Sequence, residues 1–300
     1  MKIGFLFAGQ GAQAVGMGKD LYDSYETAKQ IYDKFPEIKK LCFEGPEDIL
    51  NQTAYAQKAM LLTSYVYATL LKENGIEPTV VAGLSLGEYS ALAFADVWNL
   101  DDSIEIVSNR GRIMQNALPL GTSKMAAIIG LERTKLEEVV KSCDGIVEVA
   151  NYNCPGQIVI TGENTAVDNA MEKLKEAGAL KVVPLNVSGA FHSSLLNNAS
   201  KELRVVLDKF EPKNPKYDVV YNITGKKENK PINDILEAQI CHSVYFEDSI
   251  RLMMDECDCL VEIGPGKSLQ GFCKRINRSY KCYNVTDLAS LKQTLDELKA

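Results

Sequence analysis

The chain has 300 residues, 46% of them hydrophobic, which is enough apolar mass for a full core in one or two domains. Its 33 lysines and arginines against 40 aspartates and glutamates leave a net charge of −7, which argues against nucleic acid as the main partner. No apolar run is long enough to span a bilayer, and two histidines with eight scattered cysteines, none in a C-x-x-C pair, argue against a metal centre.

The first expected element is a buried strand over residues 2–7. It runs into Gly9-Gln10-Gly11 rather than a cleavage site, so it reads as a strand and not a signal peptide. Without an export signal the cysteines are expected to be reduced core thiols of a cytoplasmic protein. Residues 9–18 are glycine-rich. Helical spacing follows near 19–34 and 52–74, the second with Ala59, Leu62, Thr63, Val66, Tyr67 and Leu70 on one stripe and Gly75 as a stop. A short apolar run, Thr79–Ala82, leads into Gly83-Leu84-Ser85-Leu86-Gly87 and then into helix-forming residues from Glu88. Another helix fits 101–117. Strands alternating with helices imply a parallel sheet covered on both faces.

Elements shorten after Leu120-Gly121-Thr122. Strand Met125–Gly130, helix Arg133–Ser142, strands Ile146–Tyr152 and Gln157–Gly162, helix Thr165–Ala177 and strand Leu180–Val187 follow in turn. That β-α-β-β-α-β order is the split βαβ arrangement of a ferredoxin-like subdomain. The expectation is an insertion over 122–189 within a larger α/β domain formed by 1–121 and 190–300. After Ser188-Gly189 come helices near 193–209, 232–240, 245–256, 267–276 and 287–298, with strands at 217–223, 260–263 and 281–285.

Gly83–Gly87 reads as a serine on a sharp strand-to-helix turn. Glycines two before and two after Ser85 clear the space such a turn needs, and the helix N-terminus offers free N–H groups beside the hydroxyl. That combination suits acyl transfer; the plain alternative is a glycine-rich turn with a capping serine. A serine nucleophile needs a base, and only His192 and His242 are available. His192 sits between a strand and a helix, where catalytic groups of α/β sheets gather. His242 fits the late-histidine order of α/β-hydrolases better and keeps a serine esterase or thioesterase open. One oxyanion donor is expected from the Leu86 N–H. The loop Phe7–Gln13, with glycines on both sides of Gln10, is a natural source of the other. Arg110, on the helix after the nucleophile helix, would select a free carboxylate if it faced the pocket, against the ordinary fate of a solvated helix arginine.

Six separated motifs resemble one family in its order along nearly the whole chain: Phe7–Gln13, Ser85–Leu92, Asn109-Arg110-Gly111 with Met114-Gln115, Asn151–Gln157, Gly189–Ser193 and Glu262–Lys267. The family is the malonyl-CoA:acyl-carrier-protein transacylases of fatty-acid synthesis, and the single chain resembles the discrete bacterial form. The resemblance implies Ser85 as nucleophile, His192 as base, Arg110 as the malonyl carboxylate clamp, and the Gln10 and Leu86 N–H groups as oxyanion hole. It also implies Gln239 as the residue whose main-chain carbonyl orients the histidine, and Phe191 as a bulky ring that leaves little room for an α-methyl branch. No cofactor is implied beyond the CoA and phosphopantetheine that the substrates carry. The implied partners are malonyl-CoA and acyl carrier protein, with no nucleic acid and no membrane. Lys267, Lys274, Arg275, Arg278 and Lys281 are candidates for a carrier-docking face, against a plainly solvated one. Where the family usually has histidine before the nucleophile, this chain has Leu84. A polyketide-serving acyltransferase acting in trans and a non-catalytic acyl-CoA-binding scaffold remain as rival readings.

Overall fold

The computed structural model describes every residue except Asn186, Ser188 and Ala300. The chain opens with β1 (Ile3–Phe7), α1 (Lys19–Ser24), α2 (Glu26–Asp33), α3 (Pro36–Glu44), α4 (Glu47–Leu50), α5 (Thr53–Glu73), β2 (Val80–Gly83), α6 (Leu86–Phe94) and α7 (Leu100–Asn116). Next come β3 (Ser123–Ile129), α8 (Arg133–Lys141), β4 (Val147–Cys154), β5 (Gln157–Glu163), α9 (Asn164–Glu176) and β6 (Lys181–Pro184). A single 3-10 turn, Ser194–Leu196, leads into α10 (Asn197–Leu207), β7 (Asp218–Val220), α11 (Ile232–Gln239), β8 (Val244–Tyr245), α12 (Phe246–Glu256), β9 (Cys259–Ile263), α13 (Ser268–Ile276), β10 (Cys282–Val285) and α14 (Leu288–Lys299).

The molecule is mixed α/β, with one parallel sheet and one mixed sheet. The first runs β10-β9-β1-β2-β7, every pairing parallel. β1 lies at its centre with all five residues buried, so it reads as a continuous apolar run instead of an alternating one. Helix α5, buried along most of its length, covers one face. The second sheet runs β6-β3-β5-β4-β8. Its first four strands pair antiparallel, and β8 joins parallel to β4 from much later in the chain.

Several elements differ from the sequence expectation. The helix expected over 19–34 is broken at Tyr25, whose φ of −128° and ψ of 130° are extended. Two helices, α3 and α4, lie before α5 where apolar spacing marked none. Pro36 opens α3 at its first position, where a missing N–H costs no helical bond. Val244 and Tyr245 form a strand that completes the second sheet, so the helix expected from 245 starts at Phe246. The strand expected over 180–187 is ordered as β6 over four residues, with Asn186 outside the described residues. Ser188, at the expected boundary between subdomains, lies outside them too.

The eight cysteines are free thiols, six buried and two half-buried. Among the described residues no helix is long and apolar enough to cross a membrane. Among them, too, no group of three His, Cys, Asp or Glu side chains is placed to hold a metal ion. A cleft of about 710 Å³ opens where the two sheets meet. Its walls are the loops after β1 and β2 (Gln10, Ser85), α5 and α7 (Gln57, Arg110), and β3 and β4 of the second sheet (Met125, Asn153). This is the carboxyl end of the central parallel strands, where open α/β sheets place their ligands.

Candidate active site

Ser85 sits at the bend between β2 and α6 with φ 53° and ψ −103°, a conformation L residues rarely adopt. The flanking glycines are required by contact. A methyl group on Gly83 would lie 2.0 Å from the Gly87 carbonyl carbon, and one on Gly87 would lie 2.1 Å from the Phe7 carbonyl oxygen. Backbone held this way costs about 1–3 kcal/mol and persists only where its surroundings enforce it. Here the Ser85 N–H donates to Asn222 Oδ1 at 2.7 Å, and the Ser85 carbonyl accepts from Gln239 Nε2 at 2.8 Å.

His192 Nε2 lies 2.7 Å from Ser85 Oγ, and His192 Nδ1 lies 2.8 Å from the Gln239 main-chain carbonyl. A carbonyl only accepts, so Nδ1 carries the proton and Nε2 presents its lone pair to the serine hydroxyl. The imidazole is buried, and desolvation, reinforced by the Arg110 charge, pulls its pKa down to about 4. It is therefore neutral, as a base must be, across the neutral range. His192 itself has φ 59°, a second non-glycine residue in the left-handed region within the same site. Its loop is tied to both sheets' surroundings. The His192 N–H donates to Ile240 O at 3.0 Å, the Ala190 N–H to Ser123 Oγ at 3.1 Å, and the Ser194 N–H to Glu148 Oε2 at 2.8 Å. His242 is exposed, and its Nδ1 is 2.9 Å from Ala238 O, away from the cleft.

Arg110 is not a solvated helix arginine: it is fully buried and its guanidinium faces Ser85. Nη1 donates to Gln57 Oε1 at 2.8 Å, and Nη2 to Gln239 Oε1 at 2.9 Å and to Ser85 Oγ at 3.3 Å. The Tyr89 ring stacks beneath it at 4.8 Å. Among the described residues no carboxylate pairs with it within 4.0 Å. The nearby Glu88 carboxyl is pushed up to about 8, chiefly by burial, so it is largely protonated at neutral pH. A buried cation held by neutral amides is costly to maintain. The same arrangement leaves its charge available to an incoming anion.

Gln10 and Leu86 flank the same bend. Leu86 opens α6, and among the described residues neither its N–H nor that of Gln10 donates to a protein acceptor. The Gln10 side chain is turned aside, its Nε2 donating to Thr53 Oγ1 at 3.2 Å. Gly9 lets the loop close on the Ser85 turn, since a methyl there would lie 2.6 Å from Leu84 O. Phe191 is buried in the cleft wall near Met125 and Leu185, and Leu84 lines the cleft half-buried. Lys267, Lys274, Arg275, Arg278 and Lys281 are all exposed, on α13 and the stretches flanking it.

Three residues of the site were not marked from sequence: Gln57, Glu88 and Asn222, each fully buried. Gln57 is a polar position inside the apolar stripe of α5, with Met60 and Leu61 buried three and four residues on. Asn222 stands just past β7, at the same sheet end as Ser85. A polar residue on an otherwise apolar face or at a strand's carboxyl end was the available signal.

A family model described as the acyl transferase domain matches residues 4–292. The chain is 40% identical over 309 residues to the malonyl CoA-acyl carrier protein transacylase of Bacillus subtilis (strain 168), covering 99% of this chain and 98% of that one. Among solved structures, the malonyl CoA-acyl carrier protein transacylase of Clostridium perfringens superimposes with a TM-score of 0.96 at 39% identity, covering 100% of this chain and 98% of that one. A structure described as a type II PKS acyl-carrier protein in complex with its malonyl-transacylase matches with a TM-score of 0.95 at 35% identity, covering 99% and 100%.

Proposed function

The chain belongs to the acyl transferase domain family, and on that premise we propose how its cleft carries out the family's reaction. The activity is transfer of the malonyl group from malonyl-CoA to the thiol of acyl carrier protein. Ser85 Oγ attacks the thioester carbonyl carbon as His192 Nε2 takes its proton. The oxyanion forms against the Gln10 and Leu86 N–H groups. Collapse breaks the C–S bond, and His192 returns the proton to the departing CoA sulfur. A malonyl-serine ester remains. The phosphopantetheine thiol of the carrier then gives its proton to His192 and attacks the ester, and Ser85 recovers the proton. This is ping-pong chemistry through a covalent intermediate.

The observation that carries this reading is the buried guanidinium of Arg110, 3.3 Å from the nucleophile and without a carboxylate partner among the described residues. A hydrolase for neutral esters gains nothing from such a charge, whereas a malonyl tail supplies the carboxylate that compensates it. Gln57 and Gln239 hold the fork in place, and the Gln239 carbonyl sets the tautomer of His192. Phe191 narrows the wall beside the acyl group. Nucleophile, base, oxyanion donors and clamp all come from the chain, so the proposed reaction uses no cofactor beyond the groups its substrates bring. The exposed position of His242 weighs against the esterase reading that would use it. The likeness to a malonyl-transacylase solved with a type II PKS carrier favours a second reading for the acceptor: a polyketide carrier in place of the fatty-acid one.

For the fold we infer an α/β-hydrolase-like larger domain over 1–121 and 190–300, with a ferredoxin-like subdomain inserted over 122–189. The order β6-β3-β5-β4, with α8 and α9 as its two crossovers, supports the second assignment. The eight free thiols, six of them buried, support a cytoplasmic setting. The test of the clamp is R110A, assayed with malonyl-CoA and acetyl-CoA. Loss of a charge-assisted fork should cut malonyl transfer about a hundredfold or more and leave acetyl transfer far less changed. Equal losses would remove the carboxylate-binding role.

A further inference from the structure

We infer that Asn222 is a positioning residue for the nucleophile: its side-chain amide bridges Gly83 and Ser85 and holds the serine in the backbone state that aims Oγ at His192. The inference rests on Ser85 being the nucleophile. Asn222 is fully buried just beyond β7, the sheet neighbour of β2. Its Oδ1 accepts the Ser85 N–H at 2.7 Å, and its Nδ2 donates to the Gly83 carbonyl at 2.7 Å. The two bonds straddle Leu84 and clamp the residues on either side of the bend.

The amide is itself held rigidly. Its backbone N–H donates to Glu88 Oε2 at 2.7 Å, and its carbonyl accepts the Tyr245 N–H at 2.7 Å. Glu88 lies on α6, the nucleophile helix, and Tyr245 lies on β8 of the second sheet. Asn222 thus ties the nucleophile turn to both sides of the cleft at once. Serine at φ 53° does not hold this shape by preference. Without the bridge the turn relaxes toward an allowed conformation, and Oγ leaves the 2.7 Å contact with Nε2.

A neutral carboxamide meets both demands at every pH, because one side of the bridge must accept and the other must donate. A carboxylate would place an oxygen against the Gly83 carbonyl oxygen. A protonated carboxyl would donate there again. The titratable groups around the position are Glu88 on α6, Tyr221 beside it, Tyr245 on β8, and His192 and Arg110 across Ser85.

The experiment follows malonyl-serine formation by intact mass in N222D over pH 5–8, as a ratio to the native chain, with S85A as control. The expected result at pH 8 is a fall of about ten- to a hundredfold in the acylation rate with little change in the KM for malonyl-CoA. The ratio should climb as pH drops and the new carboxyl protonates. Repeating the series in an E88Q background assigns that titration to position 222. Acylation at the native rate at every pH, with S85A blank, overturns the positioning role and leaves the nucleophile standing. An adduct in S85A overturns the nucleophile reading instead. Should N222D not fold, N222A carries the test, and labelling at the native rate would overturn the bridge.

Discussion

His192 should stay active far below the pH at which an ordinary imidazole is lost. Burial comes first and the Arg110 charge second among the causes that lower its pKa to about 4. At pH 5.5 a histidine near 6.5 is about one-tenth neutral, whereas one near 4 is almost wholly neutral, so the rates should differ about tenfold. A neutral sulfonyl fluoride that modifies Ser85 gives the assay, because neither the reagent nor a substrate carboxylate titrates in the range. Inactivation rate against pH should keep its plateau down to about pH 5, with the acid limb near 4. R110Q removes the second cause and leaves burial in place. Its limb should move upward but stop short of the ordinary 6.5. A native limb at 6.5, or an R110Q limb that does not move, would refute the electrostatic account of this base.

Glu88 gives a stability prediction of opposite sense. Its folded pKa of about 8 lies above the ordinary carboxyl value of 4.5, so the folded state keeps a proton that the unfolded state releases. Relative to E88Q, the native chain should lose stability as pH rises from about 4.5 to about 8 and then level off; parallel Tm-against-pH curves would contradict this. G87A tests the tight turn, since the added methyl would lie 2.1 Å from the Phe7 carbonyl oxygen. It should cost about 3 kcal/mol by denaturant unfolding. A change below about 0.5 kcal/mol would show that the turn relaxes freely.

The residues legible in the sequence were those whose role is written locally. Ser85 announces itself because its glycines are needed by its own turn, and His192 because few bases were available. Gln57 and Asn222 escaped notice because a polar residue within α5 and one just past β7 gain their meaning only from where the fold brings them. Arg110 showed the same limit from the other side: helix arginines are ordinarily solvated, and packing against Tyr89 and Gln57 reveals its burial. α3 opens on Pro36, at the position where proline starts a helix, but no apolar spacing marks the helix in the sequence. Two-residue β8 has no period to detect, and its partner β4 lies ninety-odd positions away, as the pairing of Asn151 with Val244 shows.

The central claim is that Ser85 carries the malonyl group between two thiols. Intact mass spectrometry after mixing with malonyl-CoA tests it most directly. The account predicts one malonyl adduct that maps to Ser85, is discharged by the carrier thiol, and does not form in S85A. An adduct that survives in S85A, or a native chain that turns over malonyl-CoA without ever holding the malonyl group, would contradict it.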